Sequence, residues 1–138
     1  MATKKFYTDI RVIYADTDAM GIVYHTNYIK WFEAGRGDMM RQAGFPYSVL
    51  EKKGMWLPVV SVTCEYKAPA FYEDIITIAT WIEKLGGVSV VIAYEITKKE
   101  TGELLATGST RHGITDKDLK PMRIKKEFPE IYNFFRTD

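Results

Sequence analysis

The stretch from Tyr14 to Tyr28, YADTDAMGIVYHTNY, decides the fold of this 138-residue chain. It is preceded by residues 6–14, which are rich in β-branched and aromatic side chains and are typical of a β-strand. It leads into residues 28–43, where apolar side chains recur at intervals of three and four, as on one face of an α-helix. The stretch is therefore predicted to carry the chain from a strand into a helix.

This crossing combines three features that suit chemistry on a carbonyl group. The first N–H groups of a helix have no partner inside the helix and carry roughly half a positive charge. Gly21 permits backbone angles that other residues avoid, so a ligand can come close to the main chain there. Asp18 supplies a carboxylate on the same loop. The sequence therefore predicts an acid beside an amide dipole.

The pattern D-T-D-x-x-G-x-V-Y-H-x-N-Y, followed by WFEAGR, resembles the signature of a known enzyme family. It is similar to that of the hot-dog-fold acyl-CoA thioesterases of the 4-hydroxybenzoyl-CoA thioesterase type, including the bacterial branch associated with the Tol-Pal envelope system. The resemblance covers roughly residues 5–120 and includes the order of one long helix followed by strands. It implies a hydrolase that cleaves acyl-coenzyme A to a free acid and CoA, without a cofactor.

The same resemblance assigns the catalytic roles. In the family, the second aspartate of the D-x-D pair is the catalytic carboxylate, which is Asp18 here. A backbone N–H at the helix start polarises the thioester carbonyl, and by position it belongs to His25. Asp18 can act as nucleophile or as general base, and we favour the base. The His25 ring is either a second proton carrier or incidental, and Asp16 is expected to stabilise the turn.

Four further residues of the stretch are assigned to substrate binding. Gly21 is expected to let the thioester reach the His25 amide, and Asn27 to hold the loop and helix start in shape. Tyr24 either lines the acyl pocket or packs on the helix. Tyr28 accompanies the site in the family pattern. Thr26 and Asn27 are the best candidates for the residue that caps the helix.

Turn signals and alternating patterns divide the rest of the chain. A short helix is predicted between Pro46 and Gly54, and a second one around Pro129 is an alternative to irregular structure. Strands are predicted from Trp56 until Pro69, and over residues 75–85, 88–98 and 104–115, with a hairpin turn at Gly86 and Gly87. The result is a single α+β domain over residues 1–138, which in the hot-dog fold is a curved antiparallel sheet wrapped around one long central helix.

Composition excludes several classes of partner. With 19 basic and 18 acidic residues the net charge is +1, so neither nucleic acid nor an anionic membrane is expected as the main partner. No apolar run has the length of a signal peptide or of a membrane span, roughly 18 to 20 residues, which predicts a cytoplasmic protein. The one cysteine, Cys64, is expected to be a small buried side chain, and the two histidines show no metal-ligand spacing, so no metal is expected.

Two features point beyond a single protomer. A sheet wrapped on one helix leaves an edge to cover, and the resemblance implies dimers with a shared sheet and the active site at their interface. We therefore expect a homo-oligomer, in the form of a tetramer built from dimers. Residues 117–126, KDLKPMRIKK, hold five positive charges against one negative, either as a solvated face or as a patch for the phosphates of coenzyme A.

Two other function classes stay open at this point. A hot-dog dehydratase or hydratase would need a histidine and an acid aimed at the α or β carbon of the acyl group. A non-catalytic module that binds acyl thioesters or acyl-carrier protein would keep the pocket but not the carboxylate. Glu33, on the helix, could in principle replace Asp18 and is paired in sequence with Arg36. His112 is expected to be a satisfied strand residue.

Overall fold

The computed structural model describes residues 4–136, which form one antiparallel sheet, one long helix and several short helices. The strands pair in the order β1-β3-β4-β5-β2. The elements are β1 (Phe6–Arg11), a 3₁₀ helix (Tyr14–Asp16), α1 (Asn27–Gln42), α2 (Tyr47–Lys52), β2 (Val59–Tyr66), β3 (Ile75–Leu85), β4 (Ser89–Lys98), β5 (Leu104–Gly113), α3 (Ile124–Glu127) and α4 (Pro129–Phe135).

The sheet curves around α1 because small residues let helix and strands approach closely. The ring of Phe32, which is fully buried, stacks on that of Tyr94 of β4 at 4.3 Å between centroids. Beside it lies Gly108 of β5, where an added Cβ would meet the Phe32 ring at 2.5 Å. Gly35 allows the same approach on β3, since an added Cβ would lie 2.6 Å from the hydroxyl of Thr80. These contacts fix the position of the helix on the sheet.

The structure corrects the boundaries of the first strand and of the helix cap. The strand predicted over residues 6–14 ends at Arg11, and Tyr14 lies in the 3₁₀ helix with 76% of its surface exposed. The chain turns there because the backbone N–H of Ile13 donates to the carboxylate of Asp16 at 3.1 Å. Thr26 occupies the N-cap position of α1, but its side chain makes no capping hydrogen bond.

The remaining predicted elements are found with small shifts. β3 and β4 form the predicted hairpin, and β5 ends at Gly113, two residues early. Gly44 follows the end of α1 with φ +90°, which is the conformation that favours glycine. Around Pro129 the chain is helical, in α3 and α4.

The strand β2 is an open edge of the sheet. It pairs with β5 on one side only, and its exposed side chains include Val60 at 60%, Val62 at 41% and Tyr66 at 48%. An apolar edge strand is a template for pairing with another chain. The other edge strand, β1, carries charge instead, since its Asp9 forms an ion pair with Lys99.

Candidate active site

Asp18 lies at the tip of a tight hairpin. Thr17 and Val23 form an antiparallel bridge, and the Asp18 N–H donates to the carbonyl of Ile22 at 3.0 Å. The Gly21 N–H donates back to the Asp18 carbonyl at 2.9 Å, with Gly21 at φ +80°. A side chain other than that of glycine is strained at this angle. The hairpin therefore depends on Gly21 and presents Asp18 at the surface.

The Asp18 carboxylate is half-buried and only partly engaged. Its Oδ1 accepts a hydrogen bond from the Met20 N–H at 2.9 Å. The hydrogen bonds found within residues 4–136 do not involve its second oxygen. One oxygen is thus oriented by the loop, and the other can meet water or a ligand.

Asp16 has a structural role that differs from that of Asp18. Its side chain is only 5% exposed and accepts from the Ile13 N–H at 3.1 Å and from Lys30 Nζ at 3.4 Å. Its carbonyl accepts from the Tyr24 N–H and from Asn27 Nδ2, each at 2.8 Å. Asp16 and Asn27 together therefore tie the hairpin to the start of α1.

Two amides at the start of α1 point to no protein acceptor. Within the described chain, hydrogen bonds begin at the N–H of Asn27, which donates to the Tyr24 carbonyl at 3.0 Å, and none is found for the N–H of His25 or Thr26. Both lie at the positive end of a 16-residue helix. They are donors available to a ligand oxygen, as expected for an oxyanion hole.

Tyr66 links the sheet edge to these amides and was not identified from the sequence. Its hydroxyl donates to the carbonyl of His25 at 2.8 Å. That carbonyl and the Thr26 N–H belong to one planar peptide and point in opposite directions. Burial and the neighbouring Cys64 raise the pKa of Tyr66 to about 12, so its hydroxyl remains a donor at neutral pH. No local pattern signals this contact, since the partners lie 41 residues apart.

The aromatic residues assigned to substrate binding have different surroundings. The rings of Tyr24 and His25 are exposed and lie 4.5 Å apart between centroids. Tyr28 is 3% exposed and packs edge-on against Trp31 and Tyr66 in the core. Tyr28 therefore supports the helix start from within, whereas Tyr24 and the His25 ring face the solvent beside Asp18's loop.

The basic segment lies at the other end of the sheet. Its Arg123, Lys125 and Lys126 line a cavity of about 570 Å³ together with Gly86 and Gly87 of the β3–β4 turn. The loop of Asp18 borders the opposite end of β3, an 11-residue strand that spans about 35 Å. For this patch to bind the phosphates of CoA, a CoA molecule at Asp18 of the same protomer would have to reach along the whole length of β3.

No group of three or more metal-ligating side chains is assembled within residues 4–136. In the same range, none of the helices has both the length and the apolar character needed to cross a membrane. Burial raises the pKa of the Cys64 thiol, which disfavours the thiolate that a cysteine nucleophile requires.

Comparison with known proteins identifies the family. The model of the thioesterase-like superfamily matches residues 12–132. This chain belongs to the thioesterase-like superfamily. The hot-dog fold and the thioesterase activity predicted from the sequence motif are thereby confirmed, and the chain is an acyl-CoA thioesterase.

Three relatives illustrate the likeness. Bacillus subtilis YneP is 42% identical over 128 residues, which cover 92% of each chain. The acyl-CoA thioester hydrolase YbgC of Escherichia coli O157:H7 is 37% identical over 100 residues, covering 72% of this thioesterase and 75% of YbgC. The DHNA-CoA thioesterase of Staphylococcus aureus superimposes with a TM-score of 0.88 at 37% identity, covering 95% of this chain and 88% of that one.

The hairpin geometry predicts a specific effect of Gly21→Val. An added Cβ would meet no atom within 4 Å, so the strain would come from φ +80° alone. We expect kcat/KM to fall at least about tenfold, or roughly 1.4 kcal/mol of transition-state stabilisation. The denaturant midpoint should fall less than in Phe32→Ala, which removes a core ring.

Gly21→Asn is the matched control, because asparagine tolerates positive φ better than valine does. It should retain more of the activity with acyl-CoA in a thiol-release assay. Equal turnover by Gly21→Val and the wild type would show that the bend at Gly21 has no part in catalysis.

Proposed function

We propose that this thioesterase hydrolyses acyl-CoA at the start of α1, with Asp18 as general base and the His25 N–H as oxyanion donor. The observation that carries the proposal is that the amides of His25 and Thr26 lack an acceptor in the described chain, and that Asp18, on the hairpin that leads into the same helix, has an uncommitted carboxylate oxygen. Removal of one oxyanion donor typically costs about 2.7 to 4 kcal/mol.

The proposed reaction needs few groups because a thioester is activated already. Asp18 takes a proton from water, and the resulting hydroxide forms a bond to the carbonyl carbon. The carbonyl oxygen becomes an oxyanion that accepts from the His25 amide. The carbon–sulfur bond then breaks and coenzyme A leaves as a thiolate, since a thiol has a pKa of about 8.5. The proton held by Asp18 passes to the thiolate or to solvent.

We propose one hot-dog domain over residues 1–138 in the cytoplasm, with Gly21, Tyr24 and Asn27 shaping the substrate site. The proposal of one domain is supported by a hydrophobic core cluster of the described residues that includes side chains from β1 to α4. A dehydratase would need a histidine aimed at the acyl group. His112 does not meet this need, because it is 1% exposed and both of its ring nitrogens are hydrogen-bonded within the protein.

We also propose a homotetramer built from dimers. The support is the edge strand β2, on which Val60, Val62 and Tyr66 are exposed. Pairing of this edge with a second copy would bury the apolar row and satisfy its free backbone groups. Since Tyr66 also contacts His25, such pairing would adjoin the catalytic amides.

Asp18→Asn should reduce kcat by at least about a hundredfold, the usual contribution of a positioned base, while acyl-CoA still binds. The substitution is nearly isosteric and removes the charge only. Steady-state kinetics and calorimetric binding would check this. A variant that retains more than about a tenth of wild-type kcat contradicts the assignment.

Asp16→Asn is the companion variant. It changes a buried carboxylate that accepts from Ile13 and Lys30. Its thermal midpoint should fall more than that of Asp18→Asn, because an amide nitrogen cannot accept these hydrogen bonds.

Tyr66→Phe should lower kcat about two- to tenfold, since a hydrogen bond of about 0.5 to 1.5 kcal/mol that orients the His25 carbonyl is lost. KM and the thermal midpoint should change little, because the ring contacts with Tyr28 survive. Tyr7→Phe, on the other edge strand, is the control with an exposed tyrosine. If kcat falls no more than in the control, the Tyr66 hydroxyl has no part in catalysis.

Light scattering at micromolar concentration should return a mass of about four protomers of 15.9 kDa. Val60→Lys, which places a charge on the open edge, should shift the mass toward the monomer. Val88→Lys alters an exposed valine in the β3–β4 turn and should leave the assembly intact. A wild-type monomer near 16 kDa would contradict the assembly.

A further inference from the structure

A second concave site lies along the distal half of α1. It is a cavity of about 370 Å³ between this helix, α2 and the first residues of β2. Its apolar lining comes from Met40, Leu57, Val59 and Ile92. Its polar lining includes Glu33, Arg36, Tyr47 and His112. The volume is within the range of small-molecule sites, and none of these polar groups has a role in the hydrolysis above.

His112 offers no proton to this cavity. A carbonyl can only accept, so its Nδ1–H donates to the Leu57 carbonyl at 3.0 Å. Because burial lowers the pKa of His112, the ring is neutral, and its Nε2 accepts from the Thr110 hydroxyl at 2.8 Å. The Thr110 oxygen in turn accepts from the Tyr94 hydroxyl at 2.5 Å. The polar hydrogens of these three side chains are therefore all donated within the core.

Arg36 and Tyr47, by contrast, have donors to spare. The Tyr47 oxygen accepts from the Leu57 N–H at 2.8 Å, which leaves its own hydrogen to donate. The Arg36 side chain is 20% exposed and also interacts with the Tyr94 hydroxyl, so it uses only part of its five N–H donors. The carboxylate that pairs with it in the described chain is Glu33, at 3.8 Å and 75% exposed. Such an exposed partner contributes little. The cavity therefore combines an apolar lining with a mostly covered cation and a hydroxyl donor.

We infer a groove between α1 and β2 that joins the cavity to the amides at the start of α1. Cys64 of β2 pairs with Gly108, which faces the Phe32 ring of α1, so alternation places Tyr66 on the same side. Tyr66, at one end of β2, contacts the His25 carbonyl, and Val59, at the other end of the strand, lines the cavity. On α1, Ile29, Glu33, Arg36 and Met40 recur at helical spacing along one side.

The length of this groove limits the ligand. Eleven residues separate His25 from Arg36, which corresponds to a rise of about 16 Å. Helical side chains lean toward the N-terminus, so the guanidinium lies closer to the site than its Cα does. An acyl chain of about eight to twelve carbons covers such a span.

We propose that the cavity binds a terminal carboxylate of the acyl group, so that the substrates are CoA thioesters of dicarboxylic acids. The inference rests on the proposed site at the start of α1. A guanidinium holds a carboxylate through two parallel hydrogen bonds, and Tyr47 supplies a third donor. A plain alkyl end would make none of these hydrogen bonds, and a cationic end would be repelled by Arg36.

The test compares octanedioyl-CoA with octanoyl-CoA, two thioesters of equal length that differ in the terminal carboxylate. Calorimetry with the Asp18→Asn protein measures binding without turnover. We expect octanedioyl-CoA to bind at least about tenfold more tightly. In Asp18→Asn/Arg36→Met the ratio of the two dissociation constants should fall to about one. Equal binding of the two thioesters to Asp18→Asn would overturn the proposal.

Arg41→Met is the matched control. Arg41 forms the same i,i+3 pair on the same helix, with Asp38, but it is 62% exposed and does not line the cavity. The tenfold ratio should persist in this variant, and its loss would show that general charge decides the preference. Tyr47→Phe should reduce the ratio partially, and it tests the site even if Arg36→Met does not fold.

Turnover by the wild type separates this proposal from the one on which it rests. Release of thiol from both thioesters at equal kcat/KM would support hydrolysis at Asp18 and overturn the carboxylate site. Selective binding of octanedioyl-CoA without turnover would support the carboxylate site and overturn hydrolysis at Asp18.

Discussion

The arrangement of the loop and helix start around Asp18 depends on the hydrogen bonds of the buried Asp16. Its carboxylate ends the first strand by accepting from Ile13, and its carbonyl receives both the Tyr24 N–H and the side chain of Asn27. A hydrogen bond of this kind contributes about 0.5 to 1.5 kcal/mol to stability. One residue thus holds the strand exit, the hairpin that carries Asp18 and the helix start in a fixed relation.

The sheet supplies the second half of that fixed relation. Phe32 seated against Gly108 and Tyr94 sets where α1 lies, and Tyr66 at the end of the edge strand then reaches the His25 carbonyl. Packing therefore determines the direction of the helix-start peptides to within the tolerance of a hydrogen bond. The proposed oxyanion donors are thus oriented by packing before a ligand binds.

The two ends of α1 differ in the polar groups that they present. At its start, backbone amides and the helix dipole favour developing negative charge on a carbonyl oxygen. Farther along the same side, Arg36 and Tyr47 present side-chain donors within an apolar wall. In the proposals above, the two ends of one extended ligand lie against these two parts of α1.

The sequence alone determined the class of fold, the strand-to-helix crossing and the family, because side-chain periodicity and the D-T-D-x-x-G motif are local properties. The family pattern also gave Asp18 and Asp16 different expected roles, and the hydrogen bonds of Asp16 confirm the structural one. Tertiary structure decided the rest. The contact of Tyr66 with His25, the cavity around Arg36 and the burial of Tyr28 arise from the strand order β1-β3-β4-β5-β2, which places residues 41 or more positions apart in contact. Strand β1 ends at Arg11 because a side chain three residues beyond Ile13 competes for its N–H, and no propensity of the strand itself reports such competition.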